Sequence, residues 1–518
     1  MTIKQCLLSS GTEEAAQGRQ KRGSCKGYQE RSPWLVSRLT NHRVVVRPVI
    51  PCWEERRKSW CHQRRSPRFC DQTPRLPERH SALVLLRPAL GLSNGEDLTR
   101  DEAAATASLP APEDSGIEHI IVVTMENRSF DHFLGWFPNA DTRQHATYPV
   151  YNDGVQTTYP LAPDYQGCGH PNPDHSYSGE RIDYNAGAMN GWLLNTNNDK
   201  YCVGFYRETD IPFLAAVGRN YVTLDHYFSS FLGPTFPNRL FLLAAQTDRL
   251  DDSLDLTTLP TIFDRLSAAG VSARYYFNNV PFVGLWGLKY LSISHLHSEF
   301  LSDAAAGTLP AVSFVDPRFT ILDDDTGTDD EPHTDIRRGD AFLSTTFHAV
   351  ASGPAWESTL FIITFDECGG FFDHVPPPRA TSPAHSPDHD LVDGKALLGV
   401  RVPTIVASPW TVGEPINPTV KHGTFDHTSI LKLIEWRWGL EPLTARDASH
   451  DIGNLATVLD FAQPHTEVPA LPYPALPYPH PCFLSEFVVP SVQPASQSSW
   501  SKLANSDLLN GWRGKIPE

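Results

Sequence analysis

Apolar residues in this chain gather in short unbroken runs separated by stretches of helical period. The run 119–124 (HIIVVT) is apolar and β-branched, and 311–315 (AVSFV), 359–365 (TLFIITF) and 402–407 (VPTIVA) are built the same way. Runs without an alternating polar residue predict strands buried on both faces. Between them, 261–269 (TIFDRLSAA) and 339–352 carry helical period. Residues 428–438 (TSILKLIEWRW) do so directly after Asp426, a helix start signal. Strands alternating with helices predict an α/β domain with a mainly parallel central sheet flanked by helices.

The pattern fades at both ends. Residues 1–110 hold RQKRGSCK, EERRKSW and HQRRSPRF and no sustained hydrophobic period, and read as a basic, disordered leader. A basic arm for nucleic acid or anionic lipid is the alternative. Residues 111–465 read as the folded domain. In 466–518, the segment 469–481 (PALPYPALPYPHP) is proline-rich and 488–501 is rich in Ser, Pro and Gln, so both read as linker or surface strap. Within the domain, 323–332 (DDDTGTDDEP) and 376–393 read as loops. No stretch reaches 18 apolar residues, so no membrane-spanning helix is expected, and MTIKQCLLSS lacks the apolar core of a signal peptide.

Composition changes the picture in one respect. With 40% hydrophobic and 20% charged residues, the chain falls in the globular range. The net charge of -17 hides a divide, because residues 1–100 carry 19 Lys and Arg against 9 Asp and Glu. The rest is therefore strongly acidic, which disfavours an extended nucleic-acid surface, and no nucleic-acid partner is expected. Five of the nine cysteines lie in the first 100 residues without a paired metal-binding spacing. Cys168 and Cys202 could pair in an oxidising compartment, although two cysteines so spaced are more often free.

Chemistry concentrates where buried runs end. The first runs into Glu126-Asn127-Arg128-Ser129, and 359–365 runs into Asp366-Glu367-Cys368-Gly369-Gly370. Ligands of parallel sheets bind at the carboxyl ends of strands. Three carboxylates and an amide there make a hard-oxygen set that needs a cation. In FLGPTFPNR, two prolines and a glycine hold Thr235 in a turn entering an apolar stretch, a place for a nucleophile facing an anion, with Asn238 or Arg239 nearby. His175 (HPNPDHSYSG), His333 (EPHTDIRRGD) and His374 (GGFFDHVPPP) each stand beside Asp.

Together, ENRSFDHFLGWFP, GPTFPNR, FDECGGFFDHVPPP and FDHTSILKLIE resemble the phosphoesterase family of non-specific phospholipases C and related acid phosphatases. That family looks like a branch of the alkaline phosphatase superfamily, and the resemblance runs from about Ile117 to about Asp460. It implies an alkaline-phosphatase-like fold and a phosphoric ester hydrolase. Glu126, Asn127, Asp366 and Glu367 match the metal ligands, for one divalent ion of Ca, Mg, Mn or Zn. Thr235 matches the attacking residue, which would form a phosphothreonine, and His175 and His333 match histidines on the phosphoryl group. The implied substrate is a phosphate ester or phospholipid, with at most peripheral membrane contact. A phosphomonoesterase would share every one of these residues, and an inactive phospho-ligand-binding relative is the third reading. One position departs from the pattern, since Cys368 stands where relatives commonly have His.

The break in charge near residue 110 carries its own test. A chain beginning at Pro110 is expected to fold and keep full activity, and loss of solubility or activity would place the leader within the fold.

Overall fold

The computed structural model describes residues 109–321, 325–482 and 498–517, so the leader reading lies outside the described residues up to 108. Eight strands form the central sheet: β1 (His119–Met125), β2 (Val222–Leu224), β3 (Ala273–Phe277), β4 (Ser294–Leu296), β5 (Val312–Val315), β6 (Thr359–Phe365), β7 (Thr404–Ala407) and β8 (Val420–Lys421). Their order across the sheet is β8-β2-β7-β6-β1-β5-β3-β4.

β1 pairs in parallel with β6 and β5, setting Met125 opposite Phe365 and Val123 opposite Val315. All of β6, and β1 from Ile120 onward, is buried, as their unbroken apolar sequences require. The β5–β3, β3–β4 and β2–β8 pairs are also parallel. Only β7 runs against its neighbours, β6 and β2. The expectation of a mainly parallel sheet with flanking helices is met. The reversed β7 carries no sequence signal, because a buried run reads the same in either direction.

Helices 262–268, 336–351 and 427–438 stand where periodicity places them. The Asp426 carboxylate accepts from the Thr428 N–H at 2.8 Å, satisfying a donor at the start of the last of these. Three Phe-Asp-His triplets use their aspartates alike. Arg401 bonds Asp373 at 3.0 Å and Asp131 at 3.4 Å, and Arg446 bonds Asp426 at 3.0 Å. Both arginines are fully buried, so each aspartate is a required counter-charge that fixes its loop against the sheet.

Cysteine pairing corrects the sequence reading. Cys168 is joined to Cys482, 314 residues away, while Cys202 is a free, buried thiol packed with Trp192 and Phe205. A contact at that separation leaves no local pattern to read.

The tail also departs from a uniform surface strap. Its proline-rich part does run along helix 336–351: Ser344 and Arg338 donate to the carbonyls of Pro472 and Pro477, and Tyr473 stacks on His348 at 3.6 Å. Residues 498–517 instead enter the core, burying Trp500, Leu503, Leu509 and Trp512. Among the described residues, no helix is long and apolar enough to cross a membrane.

Cys482→Ser removes a bridge that closes a very long loop in the unfolded chain. It is expected to lower the unfolding free energy by about 2–5 kcal/mol, read from denaturant midpoints under non-reducing conditions. An unchanged midpoint would mean that the bridge contributes nothing to stability.

Candidate active site

Three adjacent parallel strands, β6, β1 and β5, each end in a carboxylate: Asp366, Glu126 and Asp316. All three meet the guanidinium of Arg239. Its Nε donates to Glu126 Oε1 and to Asp366 Oδ2, both at 2.9 Å, and its Nη1 donates to Asp316 Oδ1 at 2.9 Å. Burial opposes the charge on Arg239, but the three carboxylates hold it protonated. Arg239 stands four residues after Thr235 on the helix Thr235–Ala244. Side chains four apart share a helix face, so the bond network that fixes Arg239 also aims Thr235.

Thr235 Oγ1 is buried and lies 3.4 Å from Asn127 Oδ1. Asn127 adopts a left-handed conformation at φ 60°, which Asn tolerates better than most residues. This turns its N–H to Asp366 Oδ1 at 3.1 Å and its amide to Glu331 Oε2 at 3.1 Å. The Asp252 carboxylate accepts from the Phe236 N–H at 2.7 Å and so caps the Thr235 helix. Gly369 is essential to the fit: at φ 62°, a Cβ there would lie 2.2 Å from the Asn127 carbonyl oxygen.

Glu367 is fully buried. Its Oε2 accepts from the Gly369 N–H at 2.6 Å, and its Oε1 has no hydrogen-bond partner among the described residues. His175 Nε2 lies 3.9 Å from that oxygen. His175 Nδ1 donates to the Pro173 carbonyl at 2.8 Å, which leaves Nε2 for the site. A cleft of about 830 Å3 opens here, lined among others by His175, Pro234, Asp252, Ser499 and Lys502.

Six of the seven residues singled out from sequence therefore adjoin one another: Glu126, Asn127, Thr235, Asp366, Glu367 and His175. His333 is buried at φ 80°, two residues beyond Glu331, with its Nε2 3.0 Å from the His170 carbonyl. His374 lies in another network, between Asp131 and Asp141. Sequence reasoning passed over Asp316, Glu331, Asp252 and Trp500. Asp316 follows a buried run as Glu126 and Asp366 do, and that signal was available. The others come from loops and the tail.

Burial raises every carboxyl of the group. Asp366 is pushed up to about 7 by burial, against the pull of Arg239. Glu331 is pushed up to about 8 by burial and then by repulsion from Glu126 and Asp329. Glu126 and Glu367 are raised well above the usual range, burial again being the first cause. One guanidinium thus faces more buried carboxylates than it can neutralise.

A divalent cation fits this donor set. Glu367 Oε1 is an open buried oxygen, and Glu126 Oε2, Asp366 Oδ2 and Asn127 Oδ1 each accept a single hydrogen bond and so retain a second lone pair. Among the described residues, the groups of three whose ligand atoms all lie within 4.8 Å of one another are Glu180–Glu367–Cys368, Asp225–His226–His422 and Asp131–Asp373–His374. In the last of these, Arg401 and His374 already supply the counter-charge.

Comparisons with known proteins identify the family. Non-specific phospholipase C6 of Arabidopsis thaliana is 32% identical over 374 residues, covering 64% of this chain and 71% of that protein. Phospholipase C B of Mycobacterium tuberculosis is 32% identical over 425 residues, covering 67% of this chain and 78% of that one. A solved phosphonate monoester hydrolase of Agrobacterium radiobacter aligns over 67% of this chain and 78% of that chain at 11% identity and a TM-score of 0.33. The relatives and the family match make the chain a phosphoric ester hydrolase. The chain belongs to the phosphoesterase family, whose model matches residues 117–441.

Arg239→Met leaves three buried carboxylates without their shared partner. It is expected to cost about 3–5 kcal/mol of stability, and Arg239→Lys, which keeps the charge, is expected to cost less. Equal unfolding midpoints for wild type and Arg239→Met would show that the cluster does not depend on this guanidinium.

Proposed function

We propose that this chain hydrolyses phosphodiesters of the phospholipase C kind, with Thr235 as nucleophile and a phosphothreonine intermediate. One observation carries the reading: the Thr235 hydroxyl sits at the start of a helix, 3.4 Å from Asn127 Oδ1, beside a buried carboxylate cluster and next to an open cleft. The helix start favours an anion at that position. The names of the relatives support the phospholipase C class, and the cleft has room for a large group beyond the phosphate.

Glu126, Asn127, Asp366 and Glu367 would hold one divalent cation. When bound, it supplies Lewis acidity that lowers the pKa of the hydroxyl and offsets the phosphoryl charge. All four donors offer oxygen, which suits Ca, Mg or Mn, and Zn is compatible with carboxylates. Thr235 Oγ1 gives up its proton to solvent in the open cleft and forms a bond to phosphorus as the bond to the departing alcohol breaks. His175 Nε2, on the cleft wall, is placed to give that alcohol a proton. Water then cleaves the phosphothreonine, which restores Thr235 and releases the phosphorylated head group. Asn127 orients the hydroxyl, and Asp252 holds the turn that presents it. His333 is assigned to the phosphoryl side by family resemblance.

The test uses intact mass after rapid acid quench. With an aryl phosphorylcholine, wild type is expected to gain one phosphorylcholine group and Thr235→Ala none, while Thr235→Ser keeps substantial turnover. Chelator should abolish turnover in wild type. Near wild-type turnover by Thr235→Ala would remove the covalent mechanism and leave a water nucleophile. A parallel panel of an aryl phosphate and phosphatidylcholine separates monoester from diester preference.

A further inference from the structure

The C-terminal segment reaches the catalytic cluster at two points. Trp500 is buried, and its indole Nε1 donates to Glu126 Oε2 at 2.9 Å, the carboxylate oxygen opposite the one that accepts from Arg239. Its ring lies flat on Phe319, with centroids 3.5 Å apart and planes 7° from parallel, and the Arg239 guanidinium sits 5.1 Å from it. One residue earlier, Ser499 Oγ donates to Asp252 Oδ2 at 2.6 Å, and the other oxygen of that carboxylate caps the Thr235 helix. Lys502 adds a cation to the cleft wall.

We propose that residues 499–502 complete the active site and that Trp500 is a positioning residue, holding Glu126 in the orientation that binds the cation. This rests on the assignment of Glu126 as a metal ligand. The Glu126 side chain has three rotatable bonds, so steering of its two oxygens restricts the orientations its carboxylate can take. Here Arg239 steers one and the indole N–H steers the other, while the Phe319 stack locks the indole itself. Hydrogen bonds behind a ligand set its orientation and its affinity for the metal. The same tail holds a control, since Trp512 donates its own Nε1 to the Gly287 carbonyl at 3.1 Å, a purely structural contact.

The experiment titrates metal-stripped full-length protein with Mn2+ alone and follows binding by calorimetry. Trp500→Phe keeps an aromatic ring over Phe319 and loses only the N–H donor and some ring area. It is expected to bind Mn2+ about 10–100-fold more weakly than wild type, with Trp512→Phe unchanged and Glu126→Gln losing measurable binding. If Trp500→Phe does not fold, 3-benzothienylalanine at position 500, which keeps the ring area and lacks the N–H, takes its place with the same expectation. Mn2+ affinity within about threefold of wild type in the donor-less protein, with Glu126→Gln defective, overturns the positioning role and leaves the metal assignment standing. Wild-type affinity in Glu126→Gln overturns both.

Discussion

Three carboxylates at the ends of three neighbouring parallel strands cannot share one buried corner without a cation, and Arg239 is the one the fold supplies. The sheet forces the problem. Parallel pairing in register puts Met125 opposite Phe365, so the next residues, Glu126 and Asp366, emerge side by side, with Asp316 on the adjoining strand. Desolvation of such groups costs several kcal/mol each unless they are paired. Because Arg239 belongs to the first turns of the helix Thr235–Ala244, the charge requirement of the sheet dictates where that helix begins, and with it the position of the Thr235 hydroxyl. The buried carboxylates, with their raised proton affinity and one open oxygen on Glu367, then leave a place where a further cation is electrostatically favoured.

What could be read from the sequence follows from how local each cause is. Glu126-Asn127 and Asp366-Glu367 were legible as a pair of sites because each directly follows a run of buried β-branched and aromatic residues. Thr235 was legible because Gly233, Pro234 and Pro237 restrict its turn. The three-residue strand Val222–Leu224 carries too short a run to show a period, and the reversal of β7 leaves no trace in an all-apolar stretch. Cys482, Trp500 and Asp252 act across 108 residues or more of chain or from loops, so nothing near them in sequence announces their partners. The distance between Thr235 and Asn127 alone spans 108 positions.

The acidic loop shows how composition misleads about burial. Residues 323–332 read as an acidic loop, yet Asp329, Asp330 and Glu331 are buried. Arg128 holds the loop inward through the carbonyls of Asp330 and Glu331, at 2.6 and 3.3 Å, while Thr320 donates to Asp329. Arg128 belongs to the motif that supplies Glu126 and Asn127, so one short segment provides site residues and also the anchor that draws Glu331 against Asn127. The same economy appears in the Phe-Asp-His triplets, whose aspartates serve buried arginines. A motif that marks the family therefore carries as much scaffolding as chemistry, and the roles of its members separate only when their partners are known.

Cys368 illustrates the point. Its thiol is fully buried and donates to Glu180 Oε1 at 3.1 Å. Burial, followed by repulsion from Glu180 and Glu367, raises its proton affinity well above the ordinary thiol value. A thiol must lose its proton to bind a metal or act as a nucleophile. Here every neighbouring charge opposes that loss, so Cys368 is a neutral donor that satisfies one oxygen of a buried glutamate. Its neighbour Glu367 carries an oxygen without a hydrogen-bond partner among the described residues, so in the Asp-Glu-Cys-Gly-Gly turn the open donor is a carboxylate oxygen and the thiol is spent on Glu180.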